Sequence, residues 1–307
     1  MSKRPSLVQQ VCQALHHSAR IGESRHRAKQ EGVAHQFIYS WESLRTHQQR
    51  CISALRGLPP EVRPRMLREL TVAHVGAVAG GMRAQGLSQT YIKNTLGSLR
   101  KLGYALNDLG WNTVPPDQLV PTELYAGLRR SAPRGSYSAS QADRLAERLA
   151  RDPDDGLEFA RMLRLLRASG LRHNEVARLR EEDLDREAGT VTVRGANAKG
   201  GRPRVVGPTL DDAGRAALRE AIDDIPAGRN HLWSDGRRLA RRLEDAMREA
   251  CDELGIDRKG LHGFRALFAQ EYIDRRVAAG LSERDARREL MAPMGHSRPN
   301  FTYSYVP

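Results

Sequence analysis

Cysteine is scarce in this chain. The three thiols, Cys12, Cys51 and Cys251, are far apart and odd in number, so neither a disulfide framework nor a metal-binding spacing can be drawn from them. They read as reduced, core or half-buried thiols of a cytosolic protein. Long apolar runs are missing as well. The basic start Met1-Ser2-Lys3-Arg4-Pro5 runs into Gln9, Gln10, Gln13, His16 and His17, which interrupt any signal-peptide core, and no stretch approaches a membrane span. A soluble, cytoplasmic protein without a membrane partner is expected, nucleoid-associated if the source is bacterial. No internal repeat or low-complexity tract is visible. Acidic residues are sparse in one half only: residues 1–135 hold 8 Asp+Glu against 19 Lys+Arg (+11), while the remainder holds 29 against 31 (+2).

What is present is globular. Of 307 residues, 39% are hydrophobic and 28% charged, enough for about two domains with cores of their own. The net charge of +13 points to a polyanion as partner. The first half carries nearly all of that pull. A basic helical surface can be mere solvated exterior, but neutralising phosphates is the use that best fits so lopsided a distribution.

Helical periodicity runs through the first 110 residues. Leu7, Val11, Ala14 and Leu15 share a stripe in a helix expected from Ser6 to about Lys29, and a second is expected from about Ala34 to Arg56, ending at Gly57-Leu58-Pro59-Pro60. A third spans about Arg63 to Gln85, weakened by Gly76, Gly80 and Gly81, and a fourth starts behind Ser88 with Ile92, Leu96, Leu99 and Leu106 on one face. Prolines 115, 116, 121 and 133, with Gly135, punctuate a stretch from about Trp111, read as a linker with its boundary near Arg134. The expected domains are 1–134, helical and basic, and 135–307.

The second half opens with a helix start at Ser140-Gln141-Ala142-Asp143, then an amphipathic helix through Phe159, Met162, Leu163 and Leu166. A glycine turn in Ser169-Gly170-Leu171-Arg172 delivers an arginine to a new short helix, with Glu175 three residues on. Thr190-Val191-Thr192-Val193 alternates and is β-branched, hence a strand, and Arg204-Val205-Val206 is its partner. Between them lies the glycine-rich loop of Lys199-Gly200-Gly201. Helices follow around Asp211–Ile222 and Arg237–Leu254. The fold class is mainly α with a small antiparallel β-sheet, α+β overall.

The final segment holds the chemistry. His262-Gly263-Phe264-Arg265 precedes an apolar-periodic helix, then come Gly295-His296 and two tyrosines, Tyr303 and Tyr305. Two imidazoles, a guanidinium and a phenol are the parts a metal-free phosphodiester cleavage needs. A phenol can attack phosphorus, and fixed cations can stabilise the charge that develops on its oxygens. Each element also has an ordinary use. Arg172 and Arg265 fit helix-surface ion pairs, Lys199 a solvated hairpin tip, His296 a helix cap, and Glu175 an N-terminal helix acid.

Taken in order, these motifs resemble the tyrosine recombinase (phage-integrase) family from about Ser140 to Tyr305. Gly170-Leu171-Arg172 with Glu175 matches its first arginine motif, Lys199 its hairpin lysine, and His262/Arg265 its His-x-x-Arg. Gly295-His296 matches its Gly-His, and Tyr305, nine residues past that histidine, matches its nucleophile. The upstream bundle resembles the family's core-binding domain in character alone.

The resemblance implies catalysis by Arg172, Lys199, His262, Arg265, His296 and Tyr305, with Glu175 supporting and no metal or cofactor. Tyr305 would form a 3′-phosphotyrosyl link in double-stranded DNA, and Lys199 would protonate the leaving 5′ oxygen. Glu175 would position Arg172 or a histidine. The partners implied are duplex DNA and copies of the same chain, a dimer on each site and a tetramer at synapsis. Members of the family often continue past the tyrosine into a segment that packs on a neighbour, whereas two residues follow Tyr305 here. Two other functions share many of these features. One is a type IB topoisomerase-like nicking-closing enzyme, the other a DNA-binding regulator that kept the fold without strand exchange.

Overall fold

The computed structural model describes residues 5–129, 135–198 and 201–296. The chain divides into two units, Met1–Ala132 and Pro133–Pro307. It is mainly helical, with one three-stranded antiparallel sheet. Among the described residues no helix is long and apolar enough to cross a membrane.

The first unit is built around one long helix. Helices α1 (Leu7–His17), α2 (Arg25–Gln30), α3 (Trp41–Arg56) and α4 (Val72–Ala84) precede α5 (Gln89–Asp108), against which α1, α3, α4 and the short α6 (Pro116–Leu119) all pack. Serine caps fix the starts. Ser6, Ser24, Ser40 and Ser88 each accept a backbone N–H from the first turn, which satisfies a donor the helix itself leaves orphaned. On α5, Ile92, Leu96, Leu99, Leu102 and Leu106 fall on the buried face, as their spacing requires.

Four features of this unit differ from the sequence expectations. The helix expected from about Arg63 opens at Val72, because Leu70 and Thr71 are extended and a separate short turn, Leu67–Glu69, precedes them. The helix expected from Ser6 to Lys29 is broken. Gly22 takes φ +90°, and Arg20 N–H donates to the Ile38 carbonyl (2.7 Å) while Ile38 N–H donates to Ser18 (3.1 Å). That parallel bridge between Ala19 and Ile38 takes the backbone groups a continuous helix would use. The helix expected from Ala34 waits for its cap at Ser40. The proline-rich stretch from Trp111 is not a free linker. Pro116 opens α6, where a missing N–H costs nothing, and Leu119 and Val120 are fully buried. Gly103 makes room for this return, since a Cβ there would stand 3.1 Å from Leu119 Cδ2.

The second unit surrounds α8 (Gly156–Ser169), packed by α7 (Ala139–Leu149), α10 (Asp212–Asp223) and α12 (His262–Ala278). The α7 cap is Ser138, two residues before the expected one, with Gln141 returning a bond to the Ser138 N–H. After the short α9 (His173–Val176) come β1 (Leu184–Asp185), β2 (Thr190–Val193) and β3 (Arg204–Val206), in the order β1-β2-β3. Strand β1 escapes the sequence reading because two residues cannot show alternation. Val191 and Val193 point into the core and Thr190 and Thr192 away from it. The chain ends its described part with α11 (Gly236–Glu253), α12, α13 (Glu283–Glu289) and α14 (Met291–Met294).

Candidate active site

Glycines at the ends of two helices set up the site. Helix α8 ends at Gly170 in the left-handed conformation (φ +61°), where a side chain would overlap the Phe268 ring; only glycine tolerates both. Leu171, fully buried, anchors the turn, and its N–H donates to Ser169 Oγ (3.2 Å). Arg172 then stands as the N-cap of α9. Helix α14 closes in the same way at Gly295 (φ +61°), with His296 N–H donating back to the Met291 carbonyl (2.9 Å). The Gly-His pair is thus both a helix terminator and the mount for an imidazole.

Helix α12 presents His262 and Arg265 from its first turn. Gly263 permits this start, because a Cβ there would lie 2.5 Å from the Tyr137 ring and 2.7 Å from Lys259 Cβ. Arg265 is only 1% exposed. Its Nη1 donates to the Gly170 carbonyl, and its Nη2 donates to the Met294 carbonyl (2.6 Å) and to His296 Nε2 (3.1 Å). One guanidinium therefore ties together both glycine turns. A guanidinium has no acceptor, so Nε2 of His296 accepts and the neutral ring carries its proton on Nδ1. Burial first, then the charges of Arg265, Arg172, Arg204 and His262, push His296 down to about 3. Imidazole, not imidazolium, faces these cations.

Glu175 organises the opposite side. It is 1% exposed, and its Oε1 accepts Nη1 of Arg172 (2.9 Å) and Nη1 of Arg204 (3.2 Å). Its Oε2 accepts the Arg172 backbone N–H (2.9 Å) and Nη2 of Arg204 (2.6 Å). Burial alone would raise this carboxyl, but the Arg204 pair and then Arg172 overcome it and hold the group at about 2. The same carboxylate is an N-terminal helix acid and an arginine mount, so the plain use and the chemical one coincide.

The structure brings five sequence-identified residues into one neighbourhood: Arg172, Glu175, His262, Arg265 and His296. Lys199, Tyr303 and Tyr305 lie outside the described residues. Sequence reasoning misses Arg204. The strand containing it is legible, and the signal is its register: Arg204 pairs directly with buried Val193 and alternates with buried Val206. An arginine at an inward strand position needs a carboxylate.

The helical fold, the glycine turns and the clustered cations together define a class of protein, and comparison with known proteins agrees. The model of the Phage integrase family matches residues 137–306, more than half of the chain, and the chain belongs to this family of tyrosine recombinases. It is 29% identical over 204 residues to Tyrosine recombinase XerD of Caulobacter vibrioides, a match covering 62% of this chain and 64% of that relative, hence less than two thirds of the relative's length. Among solved structures it resembles a lambda integrase dimer bound to a COC′ core site (TM-score 0.65, 16% identity, 92% of this chain and 76% of that one). It also resembles the Tn1549 transposon integrase in complex with a circular intermediate DNA (TM-score 0.60, 16% identity, 97% and 95% covered). At such identities the likeness is one of fold.

Proposed function

We propose that the chain is a site-specific DNA recombinase that cleaves and rejoins duplex DNA through a 3′-phosphotyrosyl intermediate. The observation that carries this reading is that separate glycine turns mount Arg172 and His296 while Arg265 bonds to both turns, within a family whose solved members include integrases bound to DNA. Two guanidiniums can fork onto the non-bridging oxygens of one phosphate and remain charged at any cellular pH. His262 and His296 donate to the same oxygens or take the phenol proton. A phosphate entering here would supply the negative charge that these cations lack and raise the His296 pKa toward its ordinary range.

In this scheme Tyr305 attacks the scissile phosphorus, the 5′ oxygen leaves with a proton from Lys199, and a strand with a free 5′-hydroxyl later displaces the tyrosine. The bond energy stays in the phosphotyrosyl link, so the scheme calls on no metal or nucleotide. The first domain, 1–134, supplies much of the phosphate contact through its +11 charge. A dimer on each site and a tetramer at synapsis fit the neighbours, which include a lambda integrase dimer on a core site and a tetramer on a Holliday junction.

A duplex nicked beside the target, which traps the covalent species, tests the scheme. Tyr305→Phe should abolish the adduct and leave DNA binding nearly intact, whereas Tyr303→Phe, which keeps its ring, should retain substantial cleavage. Mass spectrometry of the proteolysed adduct names the nucleophile directly, and a nucleotide on Tyr303 would refute the assignment of Tyr305. Adduct with joining to a second duplex supports a recombinase. Adduct with relaxation alone would indicate a nicking-closing enzyme, and no adduct from the unsubstituted protein would indicate a DNA-binding regulator.

A further inference from the structure

Arg204 belongs to none of the sequence motifs of this site, yet three segments of the site meet on it. It sits at the start of β3, a few residues after Lys199 in the sequence. Its side chain is 9% exposed. Its two Nη atoms grip both oxygens of Glu175 (3.2 and 2.6 Å), while Nε donates to the Pro293 carbonyl (2.9 Å) in α14. The guanidinium also packs under the Gly295 turn, where a Cβ would stand 3.0 Å from Arg204 Cζ. One planar group therefore touches the carboxylate that mounts Arg172, the helix that mounts His296, and the hairpin itself.

We propose that Arg204 is a positioning residue that occupies Glu175 so that this carboxylate aims Arg172 without neutralising it, while fixing the base of the hairpin to the Gly-His turn. This role rests on the strand-transfer reading above. A carboxylate has about four lone-pair positions, and the Arg172 N–H, the Arg172 Nη1 and the two Nη atoms of Arg204 all donate to Glu175. With Arg204 gone, the buried carboxylate would lose two of its charged donors and would draw the Arg172 guanidinium into a tighter pair. Less positive charge would then face a phosphate. With Arg204 present, the triad Arg172–Glu175–Arg204 keeps a net positive charge, and Arg172 is held by two bonds in a fixed orientation. Lysine cannot substitute, because one point charge cannot span two carboxylate oxygens and the Pro293 carbonyl together.

The test is single-turnover cleavage of a nicked duplex at saturating protein, using full-length Arg204→Lys and, as a second route to the same contact, Glu175→Gln. Each should slow adduct formation roughly 10- to 100-fold, the span typical of residues that orient a ligand-contacting group, with DNA affinity changed less than about twofold. A second substrate carries a methylphosphonate at the scissile position and so lacks one negative oxygen. If Arg204 acts through the hold of Arg172 on the phosphate, weakened by over-pairing in Arg204→Lys and by lost aim in Glu175→Gln, the defect of both variants should shrink several-fold on this substrate, in parallel with that of Arg172→Ala. A role confined to holding the fold together predicts the same defect on both substrates, and that result would overturn the proposal, as would unchanged cleavage by Arg204→Lys. If the unsubstituted protein forms no adduct on either duplex, the strand-transfer reading falls and this role with it. Adduct from the unsubstituted protein combined with substrate-independent defects overturns the role of Arg204 alone.

Discussion

The two units handle positive charge in opposite ways. In the second, the arginines of the site are answered by specific partners: Arg172 and Arg204 share Glu175, Arg275 pairs with Asp211, and Arg265 donates to two carbonyls and an imidazole. In the first, cations crowd one another. Lys101 donates to the carbonyls of His35 (2.8 Å) and Phe37 (2.7 Å), and burial followed by the Arg25 charge pushes it down to about 8. His47, bonded to Ser98 Oγ (2.9 Å), is pushed to about 4 by burial and then by Lys101, Arg50 and Arg25. Arg25, Lys29, Arg100 and Lys101 line a shared cavity of about 680 Å³, together with Asp117, which pairs with Arg100 (3.5 Å). Mutual repulsion on such a surface is relieved by any polyanion that covers it. Charge is concentrated in one unit and aimed in the other.

That contrast can be broken most visibly with salt. If about six phosphates are neutralised by the first unit, affinity for duplex DNA should fall about 10³-fold or more between 50 and 200 mM salt. Replacing exposed Arg25, Lys29 and Lys93 with glutamine should lower the slope of log affinity against log salt by about one for each phosphate no longer neutralised. The same change made at exposed arginines of the second unit, such as Arg164 and Arg229, should matter far less, since these already pair with Asp224 and Glu158. Equal slopes for both sets would mean that concentration and aiming are not divided between the units.

How much of this is legible in the sequence depends on how local the cause is. The hairpin strands 190–193 and 204–206 can be read because β-branched alternation is a local pattern. Helix α5 can be read because a serine cap and its periodic apolar positions lie within one segment. The break after His17 cannot, because it depends on a bridge to Ile38, a residue distant in sequence. The prolines at 115 and 116 read as linker because nothing nearby in sequence reveals that Leu119 packs on Gly103. In the site, motif order alone picks out Arg172, Glu175, His262, Arg265 and His296 as candidates. Their pairings stay hidden, and Arg204 with them, because a carboxylate shared between α9 and β3 follows from strand register and not from spacing.

A gentler probe is pH. In the folded chain the imidazole of His296 titrates at about 3 against an ordinary value of 6.5, so acid protonates the unfolded chain first. Its contribution to stability is complete above about pH 6.5 and is lost as pH falls toward 3. The upper limit is about 1.4 kcal/mol per pH unit, reduced by the ring's partial exposure. Glu175, held at about 2 against 4.5, adds a second loss that begins only near pH 4.5. Thermal unfolding of His296→Asn between pH 6.5 and 4.5 should therefore show a flatter pH dependence than the unsubstituted chain. In the first unit His47→Asn should do the same over the window from 6.5 to about 4. An unchanged slope in both would show that burial and the surrounding cations do not depress these imidazoles.

The smallest expected effect concerns backbone. Glycine in the second unit is spent on geometry: at Gly170 a side chain would overlap Phe268, and at Gly295 it would press on Arg204. In the first unit the glycines of α4 serve no such purpose. Gly80 lies on the exposed side of a regular helix, with nothing within 4 Å of an added Cβ, and glycine inside a helix costs roughly 0.5–1 kcal/mol relative to alanine. Gly80→Ala should therefore raise the free energy of unfolding by about that amount, read from the urea midpoint at constant slope. Because no phosphate-binding charge is touched, DNA affinity and its salt dependence should stay within about twofold. The same substitution would weaken binding if duplex DNA approached the α4 backbone closely enough to need the missing side chain. Loss of affinity in Gly80→Ala, with stability gained, would therefore mean that the first unit also aims by shape and does not act through concentrated charge alone.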